Sequence, residues 1–183
     1  MRYTLKLLLF GDGGVGKTTL VERYIKGTFK DDTRITIGVQ FLVKRLKVNG
    51  NEVDLQIWDF GGEERFRFLL PAYCRGAGGG IFMYDITSPG SLLHLSDWLQ
   101  VVRAQTVNFP ILALGTKLDL ESQRKVKLEE AIAVAGKNNI PEVLEVSAKT
   151  GYNVSLAFDV ISKMMIESIT QNHFASAVTQ VRT

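Results

Sequence analysis

The sequence contains few of the residues that stabilise a protein through covalent or metal crosslinks. Cys74 is the only cysteine and there are two histidines among 183 residues, which excludes an internal disulfide and a zinc site built from cysteine and histidine. No apolar run approaches the ~20 residues of a membrane-spanning helix. The net charge of +3 is modest and the basic residues are scattered, so no nucleic-acid partner is expected. The sequence therefore predicts a soluble, cytoplasmic protein.

Signals for export and lipid attachment are also missing. The first residues run directly into a strand-like segment, without a charged and then apolar leader. Residue 2 is arginine rather than glycine, and residues 180–183 include no cysteine, so we expect neither myristoylation nor prenylation and no direct lipid anchor. Recruitment to a membrane would then depend on a partner.

Strand-like and helical patterns alternate along most of the chain. The predicted strands are 5–10, 38–48, 52–59, 79–85, 111–115 and 143–146. The predicted helices are 17–26, 64–75, 92–105, 128–138 and 154–170. The turn at Asn49-Gly50 joins two strands directly and makes them antiparallel. These patterns predict an α/β three-layer sandwich of the P-loop type, with a six-stranded, mostly parallel sheet, one antiparallel edge strand and helices on both faces.

The length suits a single domain. Neither an internal repeat nor a long linker interrupts the chain. Residues 171–183 lose the helical periodicity, so we expect a globular domain over 1–170 and a frayed or flexible tail over 171–183.

A phosphate-binding loop is the strongest motif. The run Gly-Asp-Gly-Gly-Val-Gly-Lys-Thr at 11–18 matches G-x-x-x-x-G-K-[ST] between a strand and a helix. Backbone N–H groups of such a loop surround phosphate oxygens. Lys17 can reach the β- and γ-phosphates, and the Thr18 hydroxyl suits Mg²⁺. By itself the loop also fits ATPases and small-molecule kinases, so the base needs separate evidence.

Two further segments follow strands at the rim where an open α/β sheet binds its ligand. They are Thr-Lys-Leu-Asp at 116–119 and Ser-Ala-Lys at 147–149. The Asp119 carboxylate can accept two hydrogen bonds from N1–H and the amino group of guanine, whereas adenine offers no such pair of donors. Lys117 can lay its methylene stem over the base, and the Ala148 N–H can meet the guanine carbonyl. Each segment alone is a weak signal, but together they favour guanine.

With these motifs, residues 4–170 resemble the small GTPases of the Ras superfamily, and the Rab-like members most. Three stretches support the resemblance: Thr-Ile-Gly-Val-Gln-Phe at 36–41, Trp-Asp-Phe-Gly-Gly-Glu-Glu-Arg-Phe at 58–66 and Tyr-Asp-Ile-Thr at 84–87. The resemblance implies a signalling and vesicle-trafficking switch that binds GDP or GTP with Mg²⁺, hydrolyses GTP slowly and presents switch loops 30–41 and 59–75 to effectors. It also implies an exchange factor, a GTPase-activating protein and a monomeric chain.

The resemblance further implies roles for individual residues. The nucleotide-binding set is Gly13, Gly14, Val15, Gly16, Lys17, Thr18, Thr19, Phe29, Thr36, Gly62, Thr116, Lys117, Asp119, Ser147, Ala148 and Lys149. The Mg²⁺ set is Thr18, Thr36 and, through water, Asp59. The catalytic set is Lys17, Thr36, Gly62 and Glu63. Effectors would contact the aromatic triad Phe41, Trp58 and Tyr73, for which ordinary core or surface aromatics are the alternative interpretation.

Three positions depart from the family pattern. Glu63 stands where a glutamine usually orients the attacking water, so a nucleotide-regulated binding module with negligible hydrolysis stays open as an alternative. Gly61 replaces the common alanine and should loosen switch II in the GDP state. Thr116 replaces the commoner asparagine and keeps a small hydrogen-bonding side chain. Together with the missing C-terminal cysteines, the pattern fits a prokaryotic or otherwise unlipidated relative.

Other residues carry weaker hypotheses. Arg34 could act as an arginine finger supplied by the chain itself, but a solvated loop arginine is the preferred interpretation. His94 and His173 are expected at the surface without a partner carboxylate, and Cys74 is expected to pack in a helix rather than act as a nucleophile. A nucleoside monophosphate kinase is a third functional class, but it would need an arginine-rich lid that the sequence does not show.

Overall fold

A single mixed sheet organises the protein. The computed structural model describes residues 1–30, 36–63, 68–106 and 109–180, with side chains described as far as residue 171. Within those ranges the strands are β1 Arg2–Phe10, β2 Val39–Val48, β3 Asn51–Phe60, β4 Gly79–Asp85, β5 Ile111–Thr116 and β6 Glu142–Glu145. Their order across the sheet is β2-β3-β1-β4-β5-β6. The β2–β3 pair is antiparallel and the other neighbouring pairs are parallel, which confirms the predicted sheet.

The β2–β3 hairpin follows from the turn residues. Asn49 and Gly50 both have positive φ, 49° and 77°, as a type I′ turn requires. Val48 pairs with Asn51 directly across the turn. The sequence therefore predicts both the position and the direction of the edge strand correctly.

The helices differ from the predicted ones at several ends. They are α1 Lys17–Lys26, α2 Leu70–Cys74, α3 Pro89–Leu93, α4 Leu95–Arg103, α5 Leu128–Lys137 and α6 Val154–Gln180, with a 3₁₀ helix at Leu118–Gln123. The helix expected over 92–105 is two short helices that meet at His94. Pro89 begins α3 early because its fixed φ suits a first helical turn.

The last helix is longer than predicted. It continues to Gln180 rather than ending at Thr170, because residues 171–180 contain neither proline nor glycine to stop it. The predicted flexibility of residues 171–183 and the predicted domain boundary at 170 stay predictions. No helix in the described part of the chain is both long and apolar enough to cross a bilayer.

Alternating side chains of β1 divide the core into two layers. Leu7 and Leu9 pack on the face that α1 and α6 cover. Leu8 and Phe10 pack on the opposite face, under α2, α3, α4 and α5. Every residue of β4 is buried, as expected for a central parallel strand covered on both sides. Each buried leucine or phenylalanine contributes roughly 1.5–3 kcal/mol, and the two layers fix the sheet rim that carries the site.

Candidate functional site

The carboxyl ends of five strands lie along one rim of the sheet. Because β3, β1, β4, β5 and β6 run parallel, the segments that follow them lie side by side. These segments include the glycine-rich loop after β1, the Thr116–Asp119 motif at the end of β5 and the Ser147–Lys149 motif after β6. The three motifs predicted from the sequence therefore share one rim.

The glycine-rich loop needs glycine at its first position. Gly11 has φ 139°, and a Cβ there would lie 2.2 Å from the carbonyl oxygen of Met83, so no larger residue fits. The loop leads into α1, whose N-cap Gly16 provides no side-chain hydrogen bond. Because glycine has no side chain, no N-cap side chain competes with an anion for the first N–H groups of α1.

Lys17 is enclosed by its own loop. Its side chain is buried, and Nζ donates to the carbonyl oxygens of Gly11 at 2.8 Å and Asp12 at 2.7 Å. Burial lowers the pKa of Lys17 to about 8, although the nearby Asp59 and Asp12 carboxylates oppose the shift. An anion bound in the loop would stabilise the charged lysine further.

Three oxygen-bearing side chains meet beside this loop. Thr18 Oγ1 lies 2.6 Å from Thr36 Oγ1 and 2.5 Å from Asp59 Oδ2. Asp59 is completely buried, and its other oxygen, Oδ1, has no hydrogen-bond partner among the residues that the structure describes. Desolvation by burial raises the pKa of Asp59 to about 6. Two hydroxyls and a buried carboxylate, one oxygen of which has no hydrogen-bond partner among the described residues, suit a hard cation such as Mg²⁺.

The segment after β3 touches the phosphate loop. A Cβ on Gly62 would lie 2.3 Å from the Asp12 carbonyl carbon and oxygen and 2.4 Å from the Gly13 nitrogen. A Cβ on Gly13 would in turn lie 3.9 Å from Cγ of Glu63. The Glu63 side chain therefore lies beside Gly13, and only glycine fits at position 62 in this arrangement.

A backbone hydrogen bond joins the two segments predicted as switches. The Gly61 N–H donates to the carbonyl oxygen of Gly38 at 2.8 Å. Residues 31–35 and 64–67 lie outside the described residues, and Arg34 is among them. The looser switch II expected from Gly61 in a GDP state stays a prediction.

The two base-reading motifs are joined by a side-chain hydrogen bond. Ser147 Oγ donates to Asp119 Oδ1 at 2.6 Å, and the same hydroxyl oxygen accepts the Thr150 N–H at 3.1 Å. The Leu118 N–H donates to the Val146 carbonyl oxygen at 3.1 Å. Ser147 thus fixes one oxygen of the Asp119 carboxylate, and the second oxygen has no hydrogen-bond partner among the described residues.

Thr116 links the base motif to the phosphate loop. Its buried hydroxyl lies 2.7 Å from the Val15 carbonyl oxygen and 2.9 Å from the Tyr84 carbonyl oxygen. The hydroxyl proton can be donated to either acceptor. Thr116 therefore ties β5 to the phosphate loop through its side chain.

Four further predicted residues have only their burial or their place in the chain to describe them. Thr19 is half-buried in α1, Phe29 is half-buried in the segment after α1, and Ala148 and Lys149 lie in the turn after β6. Their contacts with a nucleotide stay predictions.

The aromatic triad forms on the β2–β3 side of the sheet. Phe41 pairs with Trp58 across the hairpin. Their ring centroids are 4.8 Å apart, and those of Trp58 and Tyr73 are 5.4 Å apart. Phe41 is 49% exposed, so the triad reaches the surface and is not a buried core cluster.

The expectation that His94 lacks a partner carboxylate is wrong. His94 Nδ1 lies 2.6 Å from Asp12 Oδ2, and Trp98 Nε1 donates to Asp12 Oδ1 at 2.9 Å. The spacing of His94 and Trp98 places both on one helical face, which is the only local signal of this contact. The side chain of His173 lies outside the described part of the chain. Cys74 is buried, and burial raises its pKa to about 11, so it packs in α2 as predicted.

Arg124 is a structural residue that the sequence analysis missed. Its guanidinium forms a bidentate pair with Glu145, at 2.7 and 2.8 Å, and another with Glu121, at 2.8 and 2.7 Å. Both carboxylates raise the pKa of Arg124. Glu145 ends β6, so this network ties the segment after Asp119 to the strand that precedes Ser147.

Comparison with known proteins agrees with the geometry of the rim. Residues 6–167 match the family model described as the Ras family. The chain belongs to the Ras family. This Ras-family protein is 40% identical over 171 residues to the Ras-related protein Rab-1 of Theileria parva, an alignment that covers 92% of the chain and 77% of the relative. It is 39% identical over 165 residues to Rab-19 of Xenopus laevis, covering 90% of the chain and 78% of that relative. Identity to Rab-13 of Canis lupus familiaris is 39% over 162 residues, covering 88% and 79%.

Family membership confirms the coarse functional prediction. The Ras-family protein is a Rab-like small GTPase that binds guanine nucleotide as a molecular switch. Regulators and effectors accompany such switches in general. Membership alone does not assign a role to any individual residue.

Proposed function

We propose that the protein is a Mg²⁺-dependent GDP/GTP switch that hydrolyses GTP slowly and presents loops 30–41 and 59–75 to effectors. The observation that carries this proposal is the contact of Thr36 with Thr18 beside the buried Asp59. It joins a residue of the first switch loop to the start of α1 and the end of β3. A change at the phosphate end of a bound nucleotide can therefore reach the switch loop directly.

The oxygen cluster would hold Mg²⁺ with few protein ligands. Thr18 and Thr36 would bind through their hydroxyl oxygens, and Asp59 would act through water. Bound Mg²⁺ would neutralise charge on the β- and γ-phosphate oxygens. The buried Asp59 Oδ1, which lacks a described partner, supports this assignment.

The rim would divide the nucleotide between two groups of residues. Backbone N–H groups of 13–18, together with Lys17, would bind the phosphates, and the Gly62 N–H would contact the γ-phosphate. Asp119 would accept hydrogen bonds from N1–H and the amino group of guanine, while Ser147 fixes its Oδ1. The methylene stem of Lys117 would lie over the face of the base, and Phe29 would stack against the base edge-on. The Ala148 N–H would donate to the guanine carbonyl oxygen.

The position of the Glu63 side chain supports a role in hydrolysis. Its side chain lies beside Gly13 in the phosphate loop. A carboxylate repels phosphate charge and cannot donate a hydrogen bond to it, which favours the alternative of a binding module with negligible hydrolysis. A carboxylate is also a strong acceptor for a proton of the attacking water. Since Lys17 and backbone donors supply most of the electrostatic stabilisation, we propose that hydrolysis persists at a slow rate.

The first prediction tests this role of Glu63. Replacing Glu63 by alanine is expected to slow single-turnover GTP hydrolysis by about ten-fold or more, because the acceptor for the attacking water is lost. Glu63→Gln should be faster than Glu63→Ala, since an amide can both accept and donate. Glu130→Ala, a change of an exposed glutamate on α5, is the control and should leave the rate unchanged. Equal rates for wild type and Glu63→Ala would show that Glu63 is idle, and no measurable hydrolysis by wild type would favour the binding module.

The second prediction concerns Gly62. Gly62→Ala places a Cβ within 2.4 Å of backbone atoms of Asp12 and Gly13, and backbone cannot yield as a flexible side chain would. Displacing the Gly62 N–H should slow hydrolysis roughly a hundred-fold, as the loss of a preorganised donor does, while GDP binding is largely kept. Gly136→Ala is a matched control, because a Cβ there meets nothing within 4 Å. Wild-type hydrolysis by Gly62→Ala would exclude the proposed contact.

Partners follow from the switch mechanism. We propose an exchange factor, a GTPase-activating protein and effectors that recognise the GTP state through the surface of Phe41, Trp58 and Tyr73. The relation to Rab proteins suggests a role in vesicle traffic, with a monomeric chain recruited to membranes by a partner. Binding of a candidate effector to protein loaded with a non-hydrolysable GTP analogue, compared with GDP, would test this surface when Phe41 is changed to alanine.

A further inference from the structure

An ion pair lies at the base-reading motif. Asp85, the last residue of β4, has Oδ2 2.7 Å from Nζ of Lys117. The β4–β5 register pairs Asp85 with Thr116, so the two strand ends hold the partners next to each other. Lys117 is the N-cap of the 3₁₀ helix Leu118–Gln123 and has the left-handed backbone conformation, with φ 62°.

Asp85 is itself fixed. It is 6% exposed, and its Oδ1 accepts the Thr87 N–H at 2.8 Å and the Thr87 hydroxyl at 2.7 Å. The Asp85 N–H donates to Ser91 Oγ at 3.0 Å. Rotation of the carboxylate would break the Thr87 contacts and the lysine contact together. The ammonium group of Lys117 is therefore attached to a rigid point of the sheet.

We infer that Asp85 is a positioning residue that holds Lys117 in place to cover the guanine base. This inference rests on the proposed contact between Lys117 and the base. A free lysine side chain loses much rotamer freedom when it is immobilised. Attachment at both the backbone and the ammonium group removes most of that cost before the nucleotide arrives, and such preorganisation strengthens binding. Asp85 therefore slows the release of GDP without touching the nucleotide.

A purely local role for Asp85 is the competing explanation. Its bonds to Thr87 form a turn after β4, which a side-chain acceptor at this position stabilises in many loops. Asp85→Asn separates the two roles. The amide oxygen can still accept from Thr87, whereas the amide NH₂ faces the lysine ammonium and cannot accept from it.

The experiment is a double-mutant cycle on the release of N-methylanthraniloyl-GDP in Mg²⁺ buffer. The variants are Asp85→Asn, Lys117→Met, which keeps the stem without the ammonium, and the double variant. Asp85→Asn is expected to release the nucleotide about ten-fold faster, the effect of freeing one lysine side chain. The double variant should be no faster than Lys117→Met alone, because a pair that acts as a unit is not additive.

Two further readouts separate positioning from general loosening. The ratio of the release rates of GDP and inosine diphosphate should stay at the wild-type value in Asp85→Asn. The lysine stem does not contact the amino group that distinguishes guanine from hypoxanthine, and Asp119 is undisturbed. Asp54→Asn is the matched control: Asp54 also forms ion pairs, with Arg2 and Arg45, but lies outside the site, so release should be unchanged. If Asp85→Asn fails to fold, Lys117→Arg replaces it in the experiment. This variant should still release the nucleotide slowly, because the arginine guanidinium can form an ion pair with Asp85.

The outcomes are distinct. Four results would each overturn the inference about Asp85 alone. They are nucleotide release at the wild-type rate by Asp85→Asn, multiplicative effects in the double variant, a reduced preference for GDP over inosine diphosphate, and release by Lys117→Arg as fast as by Lys117→Met. Wild-type release by Lys117→Met would instead show that the proposed role of Lys117 at the base is wrong, and the inference would fail with it.

Discussion

Replacing Asp119 by asparagine is expected to change the preferred base from guanine to xanthine. The carboxylate accepts hydrogen bonds from two guanine donors, whereas the amide supplies a donor where xanthine carries a carbonyl oxygen. The Ser147 hydroxyl donates to Asp119 Oδ1, so the amide oxygen should occupy that position and direct the NH₂ group to the base. GDP affinity should fall on the order of a hundred-fold or more, since a site with unpaired polar groups rejects its ligand strongly.

Competition against fluorescent GDP by GDP, xanthosine diphosphate and ADP measures this change. A second substitution tests the orientation: Ser147→Ala in the Asp119→Asn background should reduce the xanthine preference, because the amide can then flip. An Asp119→Asn variant with an unchanged ratio of GDP to xanthosine diphosphate would contradict the assignment. Displacement of GDP from wild type by ADP as readily as by GDP would remove the basis for guanine specificity altogether.

Replacing Asp59 by asparagine is expected to abolish the response to Mg²⁺ and flatten the pH dependence of stability. Burial raises the pKa of Asp59 to about 6 from 3.8. An acid whose folded pKa is raised favours the folded state when protonated, so stability without Mg²⁺ falls as pH rises from about 4 to about 6. The difference across that window is on the order of 2–3 kcal/mol, at 1.36 kcal/mol for each pKa unit.

Thermal unfolding in EDTA at pH 4.5–7 should show this loss in wild type and not in Asp59→Asn. The titration of Lys17, with a pKa of about 8, lies above that range. Chelation of Mg²⁺ should accelerate GDP release from wild type and have little effect on the variant. Asp54→Asn serves again as a control, because Asp54 has its pKa lowered by Arg2 and Arg45. Parallel pH curves for wild type and Asp59→Asn, or an intact Mg²⁺ effect in the variant, would argue against this metal site.

Local patterns were sufficient for much of the fold. The Asn49-Gly50 turn specifies its own positive φ values, and the uninterrupted apolar run at 7–10 in β1 indicates a strand that is buried on both faces. Helix ends were less predictable: the break at His94 and the continuation of α6 to Gln180 depend on packing and on the absence of a stop signal. The phosphate-loop pattern was recognisable because glycine, lysine and threonine are required at fixed neighbouring positions.

Apart from the grouping of Thr18, Thr36 and Asp59 that the family resemblance implies, contacts between distant side chains could not be predicted from the sequence. Asp12 and His94 are separated by 82 residues and Arg124 and Glu145 by 21, and no period or motif connects either pair. The sequence therefore predicts the exposed position of His94 but not its Asp12 partner, and it assigns no role to Arg124 or Asp85. No neighbouring residue in the sequence marks any of these positions, and each partner lies at the end of a different strand.

The sequence by itself determined the chemistry available at the rim: a phosphate loop, a carboxylate suited to guanine and an alternation of strands and helices that makes a parallel sheet. These depend on neighbouring residues, whose relative positions the covalent chain fixes. The tertiary structure alone decided the distances at which Thr18, Thr36 and Asp59 meet, the position of Glu63 beside Gly13 and the ion pair between Asp85 and Lys117. Such contacts depend on strand order and register, which form only when the two core layers pack against the sheet.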